Sequence, residues 1–541
     1  MIPLDWMPPL MFTGLILFML LGFPVAFSLS ALGLAFGFVA IENGFFGPEF
    51  LQALPQRFYG ILSNDLLLAI PFFTFMGAIL EKCGLAEDLL DGLGQLLGPV
   101  RGGLGYAVIV VGAILGAITG TVAASVIAMA LIAMPVMMRY GYNTRYLTGV
   151  IAASGTITQV IPPSLVLVVL ADQLGRSVGD MYAGAWGPSL FQVLLFCGYT
   201  LFLSVFLPKW VPAVPAEALT LKGWPLIKKC LWGIVPSLVL IFLVLGTLAL
   251  GLATPTEGGA MGAVGAILLA VLHNENLGPW GQRAALAGLA ALAALTVFGL
   301  IDLAVPGRPP WLATSASIMF VVLFAAIIAL LVRTLMIPEL RTLIKQAYEA
   351  TMRITAMVIF ILIGSTCFSL VFQGVDGGVW VEHLLTGLPG GVVGFLVVVN
   401  LFVFVLAFFL DFFEIAFIVV PMLAPVAQKM LEPLVGADAA LIWFGVMLCV
   451  NMQTSFMHPP FGFALFYLRA VAPKAIKTLD IYWGAVPWVG LQLIMVGIVI
   501  AWPQVVTALL STGPTIDPSK VQIEAPAPEP ADEEPPQIEV K

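Results

Sequence analysis

Apolar runs follow one another along almost the whole chain, separated by short polar joints. They lie near residues 8–22, 24–41, 66–82, 104–138, 145–171, 183–207, 230–251, 255–272, 284–301, 312–332, 354–373, 391–431, 439–468 and 483–508. A helix needs about 20 apolar residues to cross a bilayer, so most of these runs predict one crossing each. Two runs, 104–138 and 391–431, are too long for one crossing and carry polar residues midway. Each reads as a long tilted helix or as a re-entrant hairpin that dips to mid-membrane and returns. The midway polar residues favour the hairpin, because irregular backbone at that depth is tolerated where it lines a site buried in protein.

Two other runs are interrupted by Pro-Pro. The first reads Ile151-Ala-Ala-Ser154-Gly155-Thr156-Ile-Thr158-Gln159-Val-Ile-Pro162-Pro163-Ser164. The second, 297 residues later, reads Cys449-Val-Asn451-Met-Gln453-Thr454-Ser455-Phe-Met-His458-Pro459-Pro460-Phe461-Gly462. Proline removes a backbone donor and clashes with the preceding turn. Every group so freed must find a partner inside the membrane. Breaks in corresponding positions of two halves point to a central transporter site.

Positive residues orient the spans. Arg101, Arg139 and Arg145 flank the first hairpin, and Lys209, Lys222, Lys228 and Lys229 follow the run ending at 207. Arg333, Arg341, Lys345 and Arg353 lie on a long connector, and Arg469, Lys474 and Lys477 follow the second break. Placing all of these in the cytoplasm puts both termini outside. The first hairpin then opens from the cytoplasm and the second, after Asp376 and Glu382, from the outside. That inversion is what an inverted-topology repeat requires. Gly22-Phe-Pro24 and Ala253-Thr-Pro255 each open a run of small residues, which lets membrane helices approach closely. The pair 284–301 and 312–332 has no counterpart in the first half and reads as an insertion.

The predicted class is therefore an all-α polytopic membrane protein of inverted repeats, with two re-entrant hairpins and two broken helices. Its expected parts are scaffold helices 1–82, a first mobile part 83–172 and scaffold helices 173–353 that include the inserted pair and the connector. A linking helix 354–374, a second mobile part 375–470, a last scaffold helix 471–510 and a Pro-rich acidic tail 511–541, expected to be disordered, complete it. The first run lacks a basic flank and a cleavage site, so it reads as a retained span.

Composition agrees with this class. Of 541 residues, 61% are hydrophobic and 10% charged, and the mean hydropathy is +1.07. The net charge of −8 owes much to the tail, and no basic patch suggests nucleic acid. Cys83, Cys197, Cys230, Cys367 and Cys449 are scattered through apolar runs and read as buried small hydrophobes. Three histidines allow no metal cluster, and neither HExxH nor a Ser-His-Asp arrangement occurs.

The chemistry then rests on the hairpins and breaks. The first hairpin's midpoint reads Gly116-Ala-Ile-Thr119-Gly120-Thr121-Val-Ala-Ala-Ser125. Its hydroxyls and freed carbonyls are hard oxygens suited to a dehydrated Na⁺, and Ser154, Thr156 and Thr158 could complete such a site. The alternative is hydroxyls bonded to their own helix carbonyls. The second hairpin carries Asp411 and Glu414 in an apolar run. A central acid costs about 2.5–3.5 kcal/mol on insertion scales, so these should not face lipid. They read equally as cation or proton carriers at the tip and as a cap on its second helix. Asn451, Gln453, Thr454 and Ser455 form the matching polar lining. Glu257, after Thr254-Pro255, reads as a helix cap. His458 reads as a group binding a substrate carboxylate, as a pH sensor, or as a satisfied polar residue at the break.

These stretches resemble the large membrane subunit of tripartite ATP-independent periplasmic (TRAP) transporters. The resemblance is carried by Leu115-GAITGTVAAS-Val126, Ala153-SGTITQVIPPS-Leu165, Thr254-PTEGGAMGAVGA-Ile267, Phe408-FLDFFEIAFIVVP-Met422 and Asn451-MQTSFMHPPFGFALFYLRAVAP-Lys474. It implies an ion-transporter-like elevator fold in a bacterial inner membrane. It implies Na⁺ as coupling ion, with no other cofactor, and uptake of an organic acid or related small solute. It also implies two partners, a small four-span membrane subunit and a soluble periplasmic solute-binding protein. On this reading Thr119, Thr121, Ser125, Ser154, Thr156, Asp411, Asn451 and Thr454 hold ions. Thr158, Gln159, Gln453, Ser455 and His458 meet solute. Two positions depart from the family pattern: Thr158-Gln159-Val160 stands where a Leu-Gly-Ile-like run is usual, and His458 where Thr is common. A stand-alone anion carrier of the same build is the competing reading, and a membrane enzyme lacks a catalytic constellation.

Overall fold

The computed structural model describes residues 2–119, 122–249, 252–273, 278–304, 310–459 and 462–510. Among them the regular structure is helical throughout, with no strand. Nine described helices are long and apolar enough to cross a membrane, or up to eleven if each bent pair is one span. The chain is a multi-pass membrane protein. The predicted tail lies outside the described residues.

Both long runs are hairpins. The first has arms Gly103–Thr119 and Val122–Arg139. The Leu104 amide donates to the Tyr142 hydroxyl at 3.3 Å, so the arms' outer ends sit together. The second has arms Gly391–Leu406 and Phe412–Val435. Glu382, ahead of the first arm, pairs with Lys429 near the end of the second at 2.6 Å. The chain therefore enters and leaves on one side. A short π-helical turn, Ile415–Val419, interrupts the second arm just beyond its start. Such turns insert one extra residue and re-aim the side chains after it.

The packing reproduces the repeat. Helix Val25–Glu42 of the first half packs along Pro338–Gly374 of the second, and Pro255–His273 of the second packs along Asp65–Lys82 of the first. Small residues make these crossings close, as expected. A Cβ at Gly33 would sit 2.8 Å from the backbone carbon of Cys367. The Thr254–Glu257 capping box opens Pro255–His273: the Thr254 amide donates to Glu257 at 2.8 Å, and the Glu257 amide donates to the Thr254 hydroxyl. Glu257 is thus a cap.

Two expectations change. The connector and linking helix are one helix, Pro338–Gly374, of 37 residues. At 1.5 Å per residue it is about 55 Å long, well beyond the hydrocarbon thickness. The inserted pair, Gly278–Ala304 and Pro310–Met336, packs on itself and beside Pro255–His273. The second change concerns Val178–Phe206 and Thr478–Ala501, which the sequence reading places with the scaffold. Thr478–Ala501 instead packs closely along Thr144–Thr156 and touches the second break, while Val178–Phe206 packs on both breaks' helices. A Cβ at Gly484 would lie 2.3 Å from the Arg145 carbonyl oxygen. Each carries one glutamine in its apolar run, Gln192 and Gln492, both buried.

A short amphipathic helix, Leu85–Leu97, joins the first four α-helices to the first hairpin. Its apolar face is buried on Leu85, Leu89, Leu90 and Leu93. Asp91 pairs with Lys229, and Asp88 lies 3.4 Å from His273. Both acids thus bind it to helices Trp224–Ala249 and Pro255–His273.

Candidate functional site: a cavity between two hairpin tips and two helix breaks

The first break begins as helix Thr144–Thr156, capped by Asn143, whose side chain accepts from the Arg145 amide at 2.9 Å. It tightens to a 3₁₀ turn at Ile157–Gln159 and then loses helical form through Pro162–Pro163. Ser164 restarts it: its hydroxyl accepts from the Val166 amide at 3.2 Å and donates to the Gln159 carbonyl, opening Leu165–Gln173. The second break follows the same plan, with Ala437–Met452, a 3₁₀ turn Gln453–Met457, His458-Pro459 and then Phe463–Val471. Helix residues 440–452 are all buried.

The hairpin tips meet these breaks around a cavity of about 260 Å³. Val122 and Ala123 come from the first tip, and Asp411, Phe412 and Phe413 from the second. Gln159 comes from the first break, and Phe456, Phe463 and Tyr467 from the second. Ile354 and Met357 of the long helix close one wall. The lining is apolar with a few polar groups, which is the usual make-up of a small-molecule site.

The predicted residues divide by what their polar atoms do. Three hydroxyls satisfy their own helix: Thr156 donates to Ala153 at 2.9 Å, Thr158 to Gly155 at 3.0 Å and Thr454 to Asn451 at 2.7 Å. Thr156 also accepts from the Gln492 amide at 3.1 Å. Others are buried with no hydrogen-bond partner in the described protein: Ser154 Oγ, Gln159 Oε1, Asn451 Oδ1, both amide atoms of Gln453 and Ser455 Oγ. An unmatched buried polar atom costs about 1–3 kcal/mol. A run of them on two breaks is a donor set for an ion, solute or water. Ser125 is buried in the second arm of the first hairpin. Thr121 lies outside the described residues, as does the side chain of Thr119.

Asp411 and Glu414 form a capping box. Asp411 Oδ1 accepts from the Glu414 amide at 2.9 Å, and Glu414 Oε2 accepts from the Asp411 amide at 3.0 Å. Asp411 also lines the cavity. His458 turns away from the cavity into the second hairpin. Its ring stacks on Phe408 with centroids 4.0 Å apart and meets Phe404 edge-on at 4.6 Å. Among the described residues neither ring nitrogen has a hydrogen-bond partner. Gln159 and Asp411 are thus the predicted side chains that the structure brings to the cavity. Thr158, Gln453 and Thr454 are buried and do not line it.

Sequence reasoning missed two contributors. Asn451 donates to the Asn400 carbonyl at 2.8 Å, and Asn400 sits in the apolar first arm of the second hairpin. Gln492, on the last long helix, reaches both breaks, through Thr156 and at 3.6 Å through the sulfur of Met457. Each is a lone amide in an apolar run, and that was the available signal. Among the described residues no cluster of His, Cys, Asp and Glu could hold a metal ion.

A match to the family described as "Tripartite ATP-independent periplasmic transporter, DctM component" covers residues 12–302 and 274–505. The chain belongs to this family. DctM components are parts of transporters, so the chain is not an enzyme. The two matched stretches overlap at 274–302, across most of the first inserted helix. The C4-dicarboxylate TRAP transporter large permease protein DctM of Vibrio cholerae is 26% identical over 94% of this chain and 98% of its own length. Its namesake in Pseudomonas aeruginosa is 28% identical over 86% and 90%. The sialic acid TRAP transporter large permease protein SiaM of Vibrio cholerae is 23% identical over 89% and 93%. This DctM-family chain is thus matched along nearly its whole length.

Proposed function

We propose that the chain is the permease of a Na⁺-coupled uptake system for an organic acid. The observation that carries this reading is the set of buried oxygens without partners on the two breaks, beside a cavity lined by both hairpin tips. Ser154 Oγ, Asn451 Oδ1 and Ser455 Oγ are neutral hard oxygens, the type a dehydrated alkali cation takes at broken helices. Each net positive charge moved inward gains about 2.3 kcal/mol per 100 mV, so several Na⁺ could concentrate an anion. C4-dicarboxylates and sialic acid in the relatives' names favour a carboxylate solute.

The moving unit comprises both hairpins, both breaks, Val178–Phe206 and Thr478–Ala501, since these pack on one another. It slides as an elevator against the remaining long helices. Helices Leu85–Leu97 and Gly377–Thr386 are the arms that join the two parts. A small four-span subunit steadies the fixed part in the bacterial inner membrane, and a periplasmic binding protein delivers solute. The basic segments 209–229 and 333–353 face the cytoplasm. The test is uptake into liposomes holding this chain, the small subunit and the loaded binding protein, with Na⁺ replaced by choline. Uptake should stop. Undiminished uptake driven by a proton gradient, and lost in Asp411→Asn, would reject Na⁺ coupling.

A further inference from the structure

A second cleft, of about 230 Å³, opens where four segments meet. They are the kink between Leu54–Leu62 and Asp65–Lys82, the end of half-helix Leu165–Gln173, the last turns of Pro338–Gly374, and the second hairpin at Phe417 and Pro421. It is polar, which is unusual in this apolar molecule. Arg57, Asn64, Asp172, Gln173, Thr366 and Ser369 face it. The Asp172 carboxylate is held by two amides: Asn64 Nδ2 donates to Oδ1 at 2.7 Å, and Gln173 Nε2 donates to Oδ2 at 2.8 Å. Asn64 is oriented for this, because its own oxygen accepts from the Leu66 amide at 3.0 Å as the cap of the next helix. The NH₂ group must therefore point to the cleft. Arg57 lines the same space and pairs with no carboxylate among the described residues.

The arrangement is a carboxylate receptor already holding a carboxylate of its own. Arg57 and the Asn64 amide offer a forked cation and a fixed donor, the pair that recognises a planar anion best. Arg57 is exposed at the cleft's mouth, free to swing toward an arriving anion. The long helix runs on from Thr366 and Ser369 to Ile354 and Met357 in the main cavity. The two places lie about 18 Å apart along it, at 1.5 Å per residue.

We propose that this cleft is a second binding station for a small carboxylate solute, separate from the cavity between the hairpin tips. A solute carboxylate takes the place of Asp172 on the Asn64 amide while Arg57 balances its charge. Asn64 and Asp172 belong to segments on opposite sides of the cleft, so the exchange also unfastens the two sides. The station rests on the proposed reading only in that the solute is a carboxylate.

The test uses the full chain in lipid nanodiscs, with Ser369→Cys as reporter and the unaltered chain as background for its native thiols. Labelling rates are compared for anionic sulfonatoethyl and cationic trimethylammonioethyl methanethiosulfonate, with and without malate as the probe. Relative to their rates with a free small thiol, the anionic reagent should be favoured several-fold over the cationic one, and malate should slow it. Arg57→Gln should abolish both effects. Asn64→Ser keeps the helix cap, since Ser and Asn cap about equally well, but should weaken protection by malate. No charge preference, a preference that survives Arg57→Gln, or no protection by malate would overturn the station. Protection by an added binding protein but not by malate would also overturn it, in favour of a docking surface. Labelling needs no Na⁺ gradient, so failure of the uptake assay leaves this result standing on its own.

Discussion

Asn451 donates its side-chain amide to both oxygens of Asn400, the carbonyl at 2.8 Å and Oδ1 at 2.9 Å. The second break is thereby tied to the first arm of its own hairpin. In the first half the corresponding contact is made without a side chain. A Cβ at Gly112 would lie 2.7 Å from the Ser154 carbonyl oxygen, so helix and break touch backbone to backbone. The two halves share a plan but fasten it differently.

Asn400→Leu should therefore unfasten only the second half. It leaves the Asn451 amide with one acceptor fewer in a buried place, at a cost of about 1–3 kcal/mol. Thermal unfolding of the purified protein should show a lower midpoint, and Gly112→Ala should lower it as well by forcing helix and break apart. An Asn400→Leu midpoint equal to the parent's would mean the pair contributes nothing.

Ser154 and Thr156 make a sharper contrast. Ser154 Oγ has no partner in the described protein, whereas Thr156 Oγ1 donates to Ala153 and accepts from Gln492. Ser154→Ala should leave the Na⁺-free unfolding midpoint unchanged and raise the Na⁺ concentration for half-maximal uptake. Thr156→Ala should lower stability even without Na⁺, by up to about 1–3 kcal/mol, because the buried Gln492 amide loses its oxygen acceptor and keeps only the Met457 sulfur. Equal loss of stability in both variants would count against an ion at Ser154.

Asp411 caps a helix and lines the cavity, and the two roles separate by substitution. Asparagine caps as well as aspartate, while alanine costs about 0.5–2 kcal/mol. Asp411→Asn should fold with near-parent stability and lose transport. Asp411→Ala should lose both. Full transport in Asp411→Asn would leave only the cap.

The amphipathic helix Leu85–Leu97 should loosen in acid. Partial burial pushes the Asp91 carboxyl up, but its hydrogen bonds to Lys229 and Gln95 and the charge of Lys229 outweigh this and hold it below the ordinary value. A depressed folded value stabilises above the unfolded one, and the benefit drains away as the pH falls through the folded value. Hydrogen exchange in 85–97 should therefore rise in the acid range. In Asp91→Asn that rise should vanish, with faster exchange already present at neutral pH.

The breaks and hairpins were legible because proline, glycine and stranded polar residues leave marks in an apolar run. The Glu257 cap was legible from its spacing to Thr254. Which apolar helices meet protein and which meet lipid was not legible, since both surfaces are equally apolar. That is why Thr478–Ala501 read as scaffold although Trp488 and Gln492 are buried against the breaks. Its one written clue was Gln492. His458 read as a solute ligand, as a pH sensor or as a satisfied polar residue at the break, because a lone imidazole beside Pro-Pro fits all three. Its stacking on Phe408 depends on a fold in which position 458 meets position 408.

The close crossing of Gly484 against Arg145 also sets an order of assembly. A ribosome at work has made the first break long before it makes the helix that completes it. Those 335 or so residues take on the order of 20–70 s at 5–20 residues per second. Throughout that interval Thr144–Thr156 has one face without its final neighbour. The nascent chain must hold that face against lipid, an insertion factor or an earlier helix, then give it up. A stop codon anywhere before residue 478 would thus leave the first half not merely unpaired but unfinished.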